Sequence, residues 1–387
     1  MKNGQSLKYD ITKDNLSTLN NGSGSVFVTF GETMVRDTPS DLQRPEGTRE
    51  VYISLAGSEY TVALLLARFG VTVSYITRVP DNPYGWLLRD LARGQGVNID
   101  HIVWADKTEP IGRYIYELGR TPRPSVGWYQ RKYSAASRLG SGMVDWSRVL
   151  RGSKLLHTSG ITFGLAAHSG YEQNYLLQSF QEAMAAKPAD CLVGLDYNYR
   201  ATLWDAEQCK TVMEPLLREH VDVLVTSIED MAFHYDIGCG KYSAEAIRQD
   251  ELDEISDDDC RDFARQVIER FNVKIVAVTR RYACDFERHE WESMAMDAAG
   301  NFYRSPAAKP IVLLDRLGGG DSWNAGFYYG LLTADPAAEK LEKGILVGDA
   351  ATRLQQTIMF DLATISKEEV QTLMQTDVFG GGNRVAR

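Results

Sequence analysis

Residues 315–332 read DRLGGGDSWNAGFYYGLL. Three consecutive glycines, Gly318, Gly319 and Gly320, are followed by Asp321 and then by a helical pattern. Glycines let the backbone turn tightly and aim successive N–H groups at one point, and a helix behind such a turn adds the positive end of its dipole. The stretch therefore describes an anion hole with a carboxylate at its lip. That pairing suits transfer of a phosphoryl group to an alcohol, because the carboxylate can accept the hydroxyl proton. From these residues alone, a glycine-rich turn with an aspartate near a helix N-cap is the competing reading.

Outward from this turn, short β-rich runs alternate with helical patterns, the signature of a mostly parallel sheet with crossover helices. VFVTFGE (26–32) reads as the first strand, residues 59–69 as a helix stopped by Gly70, and VSYITRV (73–79) as the next strand. LLHTSGI precedes a helix expected at 169–187, CLVGLDY one at 205–220, and VDVLVTS one near 229–236. VKIVAVTRR (273–281) follows a helix at 256–272, and the C-terminal part reads as helical over 321–334, 337–356 and 366–375. Two stretches break the rhythm. Residues 33–56 hold no helix and end in a strand, VYISLAG, and residues 111–133 read as two strands around a Pro-rich turn. Both are expected to form a small sheet over the carboxyl edge of the main one, where open α/β folds bind ligands. Residues 1–25 read as a flexible leader, 26–376 as one α/β domain with a lid from about 33–56 and 110–133, and 377–387 as a tail.

The chain of 387 residues carries a net charge of −10, which argues against general nucleic-acid binding. No apolar run approaches 18 residues, and the polar N-terminus lacks the apolar segment of a signal peptide. Five cysteines, at 191, 209, 239, 260 and 284, show no CxxC spacing and suit a reducing cytoplasm. No histidine spacing suggests zinc, GCGKYS (238–243) departs from a phosphate-binding P-loop, and no metal-ligating set is expected. His157 and His168 read as packing or turn residues. The acidic run DELDEISDDD (250–259) reads as a solvated loop leading into a helix N-terminus. Residues 113–138, in contrast, hold six basic side chains and one acid, a local charge of +5 that would draw anions to a cleft.

DRLGGGD resembles the C-terminal signature of the ribokinase-like, PfkB-type carbohydrate kinases, with Gly319 in the place of alanine. AGSEYTVALLLARFG (56–70) is similar to their N-terminal signature, with Ala56 for the first glycine and Thr61 for the usual asparagine. Within that family, FGETMVRDTP, YQRKYSAASRL (129–139) and DYNYRATLW (196–204) resemble the 2-keto-3-deoxygluconate (KDG) kinases. The resemblance implies a three-layer α/β/α ribokinase-like sandwich with a small β-sheet lid. It implies ATP-dependent phosphorylation of a sugar acid, KDG to its 6-phosphate, with Mg²⁺ on the phosphates. The alternatives are a kinase for fructose, ribose or 5-dehydro-2-deoxygluconate, or a catalytically silent sugar-binding relative.

Carried over by position, Asp321 is the base and Gly318, Gly319 and Gly320 form the anion hole. Gly57, Thr61, Tyr114 and Tyr129 meet the sugar, and Arg131 and Arg200 its carboxylate. Thr279, Arg280, Gly318, Gly320 and Asp349 approach the nucleotide. The family's N-x-x-E motif has only Ser227–Ile228–Glu229–Asp230 in its place. The lids of such kinases often pair between subunits, so a cytoplasmic homodimer or higher homo-oligomer is expected.

Overall fold

Each central strand carries two apolar faces, and these dictate the layering. The computed structural model describes residues 8–379 apart from 21, 23, 253, 284–286 and 306–309. In chain order its elements begin with β1 (Phe27–Phe30), β2 (Met34–Pro39), β3 (Val51–Ala56), α1 (Ser58–Arg68), β4 (Val73–Ile76), β5 (Arg78–Pro80), α2 (Pro83–Gly94), β6 (Val103–Ala105), β7 (Gly112–Glu117) and β8 (Val126–Gln130). The middle of the chain supplies α3 (Trp146–Val149), β9 (Leu155–Ser159), α4 (Gly160–Ser169), α5 (Tyr175–Ala186), β10 (Leu192–Asp196), α6 (Ala206–Glu219), β11 (Val223–Thr226), α7 (Ile228–Tyr235), α8 (Ala244–Arg248) and α9 (Asp257–Phe271). The last third adds β12 (Ile275–Ala283), β13 (Arg288–Asp297), β14 (Phe302–Arg304), β15 (Ile311–Val312), α10 (Gly319–Thr333), α11 (Lys340–Gln355) and α12 (Lys367–Phe379).

The main sheet runs β14-β13-β12-β11-β10-β9-β1-β4, with β15 beside β13. From β4 to β12 all pairings are parallel, and β13 to β15 close the far edge antiparallel. Side chains alternate between faces with period two. Phe27, Leu155, Val223 and Ile275 pack with α1, α2, α10, α11 and α12 on one side. Their neighbours Val28, Leu156, Leu224 and Val276 pack with α3 to α9 on the other. The result is the expected α/β/α sandwich. The lid is a second sheet in the order β3-β2-β7-β8, drawn from both stretches that broke the βα rhythm.

Several boundaries differ from the sequence reading. The helix expected at 169–187 begins only at Tyr175, as α5, and an unexpected helix, α4, precedes it and ends at Gly170 in the left-handed region. Helix α4 is apolar almost throughout, so it showed no period to read. VSYITRV splits into β4 in the main sheet and β5, which pairs with β6. The acidic run does lead into a helix: Ser256 caps α9 and accepts from the Asp259 N–H, while Asp259 accepts in return. Asp253 of that run lies outside the described residues. Helix α12 reaches Phe379, beyond the expected start of the tail at 377, and 380–387 lie outside the described residues.

The leader is the clearest correction. Residues 8–14 are docked rather than free. Ile11 is fully buried, and its N–H donates to Gln371 Oε1 at 2.9 Å. Gln371 returns a bond to the Tyr9 carbonyl, and Lys343 Nζ, itself buried, pairs with Asp14 at 2.7 Å. An apolar residue inside a polar segment, with tyrosine and aspartate reaching buried partners, gives no periodic signal. Residues 1–7 lie outside the described residues. Ile11→Ala is expected to lower the unfolding free energy by about 2–4 kcal/mol, the cost of emptying a buried aliphatic site. Urea denaturation checks this, and a change below about 0.5 kcal/mol would return the segment to a flexible leader.

Candidate active site

A parallel sheet delivers the ends of its strands to one edge, and there a cavity of about 500 Å³ opens beneath the lid. Asp196 at the end of β10, Thr226 at the end of β11 and Thr279 in β12 line its floor. Gly318, Gly319 and Gly320 line the cavity as well, as do the lid residues Met34, Tyr114 and Tyr129. The two tyrosine rings stack at 4.9 Å.

The glycine turn forms as expected, but its three glycines do different work. Gly318 is the N-cap of α10 with φ +74°, and a Cβ there would lie 3.2 Å from the Asp361 Cα. It therefore needs glycine for both conformation and space. Gly320 faces open cavity, where a Cβ would meet nothing within 4 Å. Gly319 and Gly320 are the first residues of α10, so their N–H groups have no partner within the helix and are available to an anion.

Asp321 follows in the first turn of α10. Ser58 Oγ, from the first residue of α1, donates to its Oδ1 at 2.6 Å. Two helix N-termini thus converge on one carboxylate. Burial pushes the Asp321 carboxyl up to about 6, against the Ser58 bond that lowers it, and the Asp196 charge adds to the rise. Asp196 is likewise raised to about 6 by burial, although Asn324 Nδ2 donates to it at 2.8 Å. Asp230 is raised to about 6 by the same cause. The Arg200 guanidinium opposes the rise at all three carboxylates, which places its positive charge among them. Asn198, two residues before Arg200, takes a positive φ of 41°, which asparagine tolerates better than most residues.

Of the substrate residues expected from sequence, Gly57, Tyr114, Tyr129, Arg131 and Arg200 line the cavity together. Arg131 is already paired: its Nε donates to Glu32 Oε2 at 2.8 Å, its Nη2 reaches the same oxygen, and Ser134 holds the other. Thr61 does not line the cavity. Its hydroxyl donates to the Asp361 carbonyl at 3.1 Å, so it fixes the loop behind the glycine turn. Asp349 is also elsewhere, accepting from Ser293 Oγ at 2.5 Å and Trp323 Nε1 at 2.8 Å.

On β12 the alternation of a strand decides the outcome. Thr279 and Arg281 line the cavity, whereas Arg280 is buried on the opposite face against the Tyr282 ring, 4.7 Å away. Burial lowers the Arg281 pKa, helped by the like charges of Arg316 and Arg200. These guanidiniums crowd one region that an anion would relieve.

The sequence reading named no role for Ser58, Asp196, Arg316, Asn324 or Asp361, all of which line the cavity; Arg281 it placed beside Thr279 and Arg280 at the strand end that approaches the nucleotide. Asp196 could have been found inside DYNYRATLW, and Ser58 one residue after Gly57. Asp361 follows α11 in an irregular segment and carries no local signal. Ser227 caps α7, and both it and Asp230 line the cavity, so the divergent motif does reach the site. Among the described residues, no cluster of three or more metal-ligating side chains exists, and no helix is long and apolar enough to cross a membrane.

Comparison with known proteins gives the fold and the family. A 2-dehydro-3-deoxygalactonokinase of Haloferax volcanii is 28% identical over 350 residues, covering 90% of this chain and 96% of that protein. The crystal structure of a 2-dehydro-3-deoxygluconokinase from Thermotoga maritima superposes with a TM-score of 0.78 at 31% identity, covering 90% of this chain and 98% of the other. A putative ribokinase II from E. coli in complex with ATP and Mg²⁺ shares the fold at 16% identity and a TM-score of 0.68, over 91% of this chain and 99% of that one. Residues 27–252 match the pfkB family of carbohydrate kinases, and this chain is a member of that family.

Proposed function

We propose that this kinase transfers the γ-phosphoryl group of ATP to a terminal hydroxyl of a 2-keto-3-deoxy sugar acid, KDG or its galacto epimer, giving the 6-phosphate. One observation carries the reading. A carboxylate bonded to Ser58 sits at the N-terminus of α10, in the same cavity as Arg131, Arg200 and the stacked pair Tyr114–Tyr129. The named activities of the Haloferax and Thermotoga relatives support the acceptor class.

Asp321 accepts the hydroxyl proton as that oxygen bonds to the γ-phosphorus. The bond from the γ-phosphorus to the bridging oxygen breaks, and ADP leaves. The Gly319 and Gly320 amides and the α10 dipole hold the charge on the equatorial oxygens. Arg200 and Arg131 offer charge-assisted bonds to the acceptor carboxylate, whose planar oxygens suit a guanidinium fork. Arg281 and Arg316 supply positive charge toward the triphosphate.

Magnesium typically binds through one or two carboxylates plus substrate phosphates, and Asp196 and Asp230 in the cavity fit that demand. They would hold the ion, which would neutralise phosphate charge. Tyr114, stacked under Tyr129, gives the acceptor a flat wall beneath the lid. On the lid's outer side Ile53, Ile115 and Trp128 are exposed, and register aligns them in one row through Asp37. We assign that row to lid-to-lid pairing in a homodimer. The thiols of Cys191, Cys209, Cys239 and Cys260 are unpaired, which fits a cytoplasmic enzyme.

Asp321→Asn is expected to lower turnover about 10²–10⁴-fold while ATP binding is retained, as for loss of a positioned base. A coupled ADP-release assay with KDG and its galacto epimer tests this; more than about a third of wild-type turnover would remove Asp321 from that role. The base works ionised and titrates near 6, so kcat/KM should fall as pH drops through about 6. The ascending limb of the pH profile reads this, and a flat profile between pH 5 and 7 would contradict it.

Arg200→Ala should lower kcat/KM for the sugar acid about 10–150-fold, the equivalent of a charge-assisted bond of about 1.5–3 kcal/mol. It should change slow turnover of fructose or ribose far less. Equal losses on acid and neutral acceptors would assign Arg200 a structural role. Wild-type preference for fructose, ribose or 5-dehydro-2-deoxygluconate would replace the proposed acceptor.

A further inference from the structure

Among the described residues, Arg36 is the largest charged side chain that is completely buried, and no step of the chemistry above uses it. It belongs to lid strand β2, yet both of its carboxylate partners belong to the body. Nη2 donates to Asp315 Oδ2 and Nη1 to Asp361 Oδ1, each at 2.5 Å, and Nε donates to Thr38 Oγ1 at 2.9 Å. The guanidinium lies 4.6 Å from the Tyr116 ring centroid and 5.5 Å from that of Phe360.

Both carboxylates are wired to the glycine turn. Asp315 opens it: Oδ1 accepts the Leu317 N–H at 3.1 Å, one residue before Gly318. Its Oδ2 accepts the Phe360 N–H at 3.2 Å. Asp361 is the residue whose backbone packs against Gly318, and its Oδ2 accepts from Tyr114 in the acceptor wall at 3.4 Å.

Two negative charges beside an anion hole oppose its purpose unless a cation stands between them and the triphosphate. A buried ion pair is also poor value as a source of stability alone, because desolvation offsets most of its attraction. Its geometry, in contrast, is exacting: a planar fork with a carboxylate on each arm fixes the distance from lid to turn.

We propose that Arg36 is a positioning residue for phosphoryl transfer, a built-in cation that fastens the lid to the glycine turn and neutralises Asp315 and Asp361 so that the turn accepts the γ-phosphate. The role deepens the kinase reading and rests on it. It assigns to a lid residue that touches neither substrate a control over the chemical step.

The test compares Arg36→Lys and Arg36→Ala with Val193→Ala, a core change remote from the turn, using KDG and ATP. Lysine keeps the charge but cannot serve both carboxylates in a fixed plane. Arg36→Lys should lower kcat about 10–100-fold, on the scale of a disturbed oxyanion site. Its dissociation constant for KDG without nucleotide should stay within about twofold. Millimolar guanidinium chloride should restore part of the lost kcat in Arg36→Ala and none in Val193→Ala. Wild-type kcat in Arg36→Lys would overturn the proposal. So would a fall in KDG affinity matching the fall in kcat, or a folded Arg36→Ala that guanidinium does not rescue. Should Arg36→Ala not fold, the lysine variant decides alone. An active wild type with an equally active Arg36→Lys defeats this proposal only, whereas a wild type that phosphorylates no sugar acid defeats the kinase reading with it.

Discussion

Helix α10 can occupy its place only because nothing stands between its backbone and that of α11. A Cβ on Gly330 would lie 2.3 Å from the Gly344 Cα, and one on Gly326 would lie 2.7 Å from that of Gly348. Close approach of two backbones demands this absence. The rest of the site hangs on it. From one buried helix, Gly319 and Gly320 present their amides, Asp321 meets Ser58, and Asn324 holds Asp196. Further along, Tyr328 bonds His157 under the sheet, and Tyr329 reaches Asp14 in the docked N-terminal segment. A shift of α10 would move Asp321, the Gly319 and Gly320 amides and Asp196 together.

The cavity is a balance of charge rather than a positive funnel. Asp196, Asp230, Asp321 and Asp361 face Arg131, Arg200, Arg281 and Arg316 within one space. Burial raises all four acids toward 6, so near neutral pH each stays ionised with little margin. In the proposed role of base, Asp321 would then be strong enough to take a proton and weak enough to give it back. Arg200 opposes the rise at Asp196, Asp230 and Asp321, and Arg36 does so at Asp361. The net charge of −10 therefore says little about the site, whose anion-attracting groups are local.

What the sequence disclosed follows from how far each signal reaches. The order of strands and helices was legible because periodicity is local. The two lid stretches were legible because they broke it. The turn at 318–321 was legible only because it and residues 56–70 together resemble the two signatures of one family; its glycines alone left a plain capped turn as the competing reading. Arg280 and Arg281 show the limit: adjacent residues of one type differ only in strand parity, and a register error of one sends the wrong side chain to the site. Asp361 shows another, since its partners Arg36 and Thr61 lie 325 and 300 residues away. Ile11 was lost for the same reason, because an isolated apolar residue shows its burial only when its partners are known.

The docked N-terminal segment has a bearing on how the molecule is made. Ile11 and Tyr9 exchange bonds with Gln371, about 360 residues later in the chain. A ribosome delivers residues in order, so the first of these groups must wait, unpartnered, until α12 has left the exit tunnel. The sheet can assemble from its neighbouring βα units meanwhile, but this clasp closes last. During that interval the nascent chain carries Tyr9 and Ile11 without the α12 partner that later covers them, an apolar spot open to a chaperone.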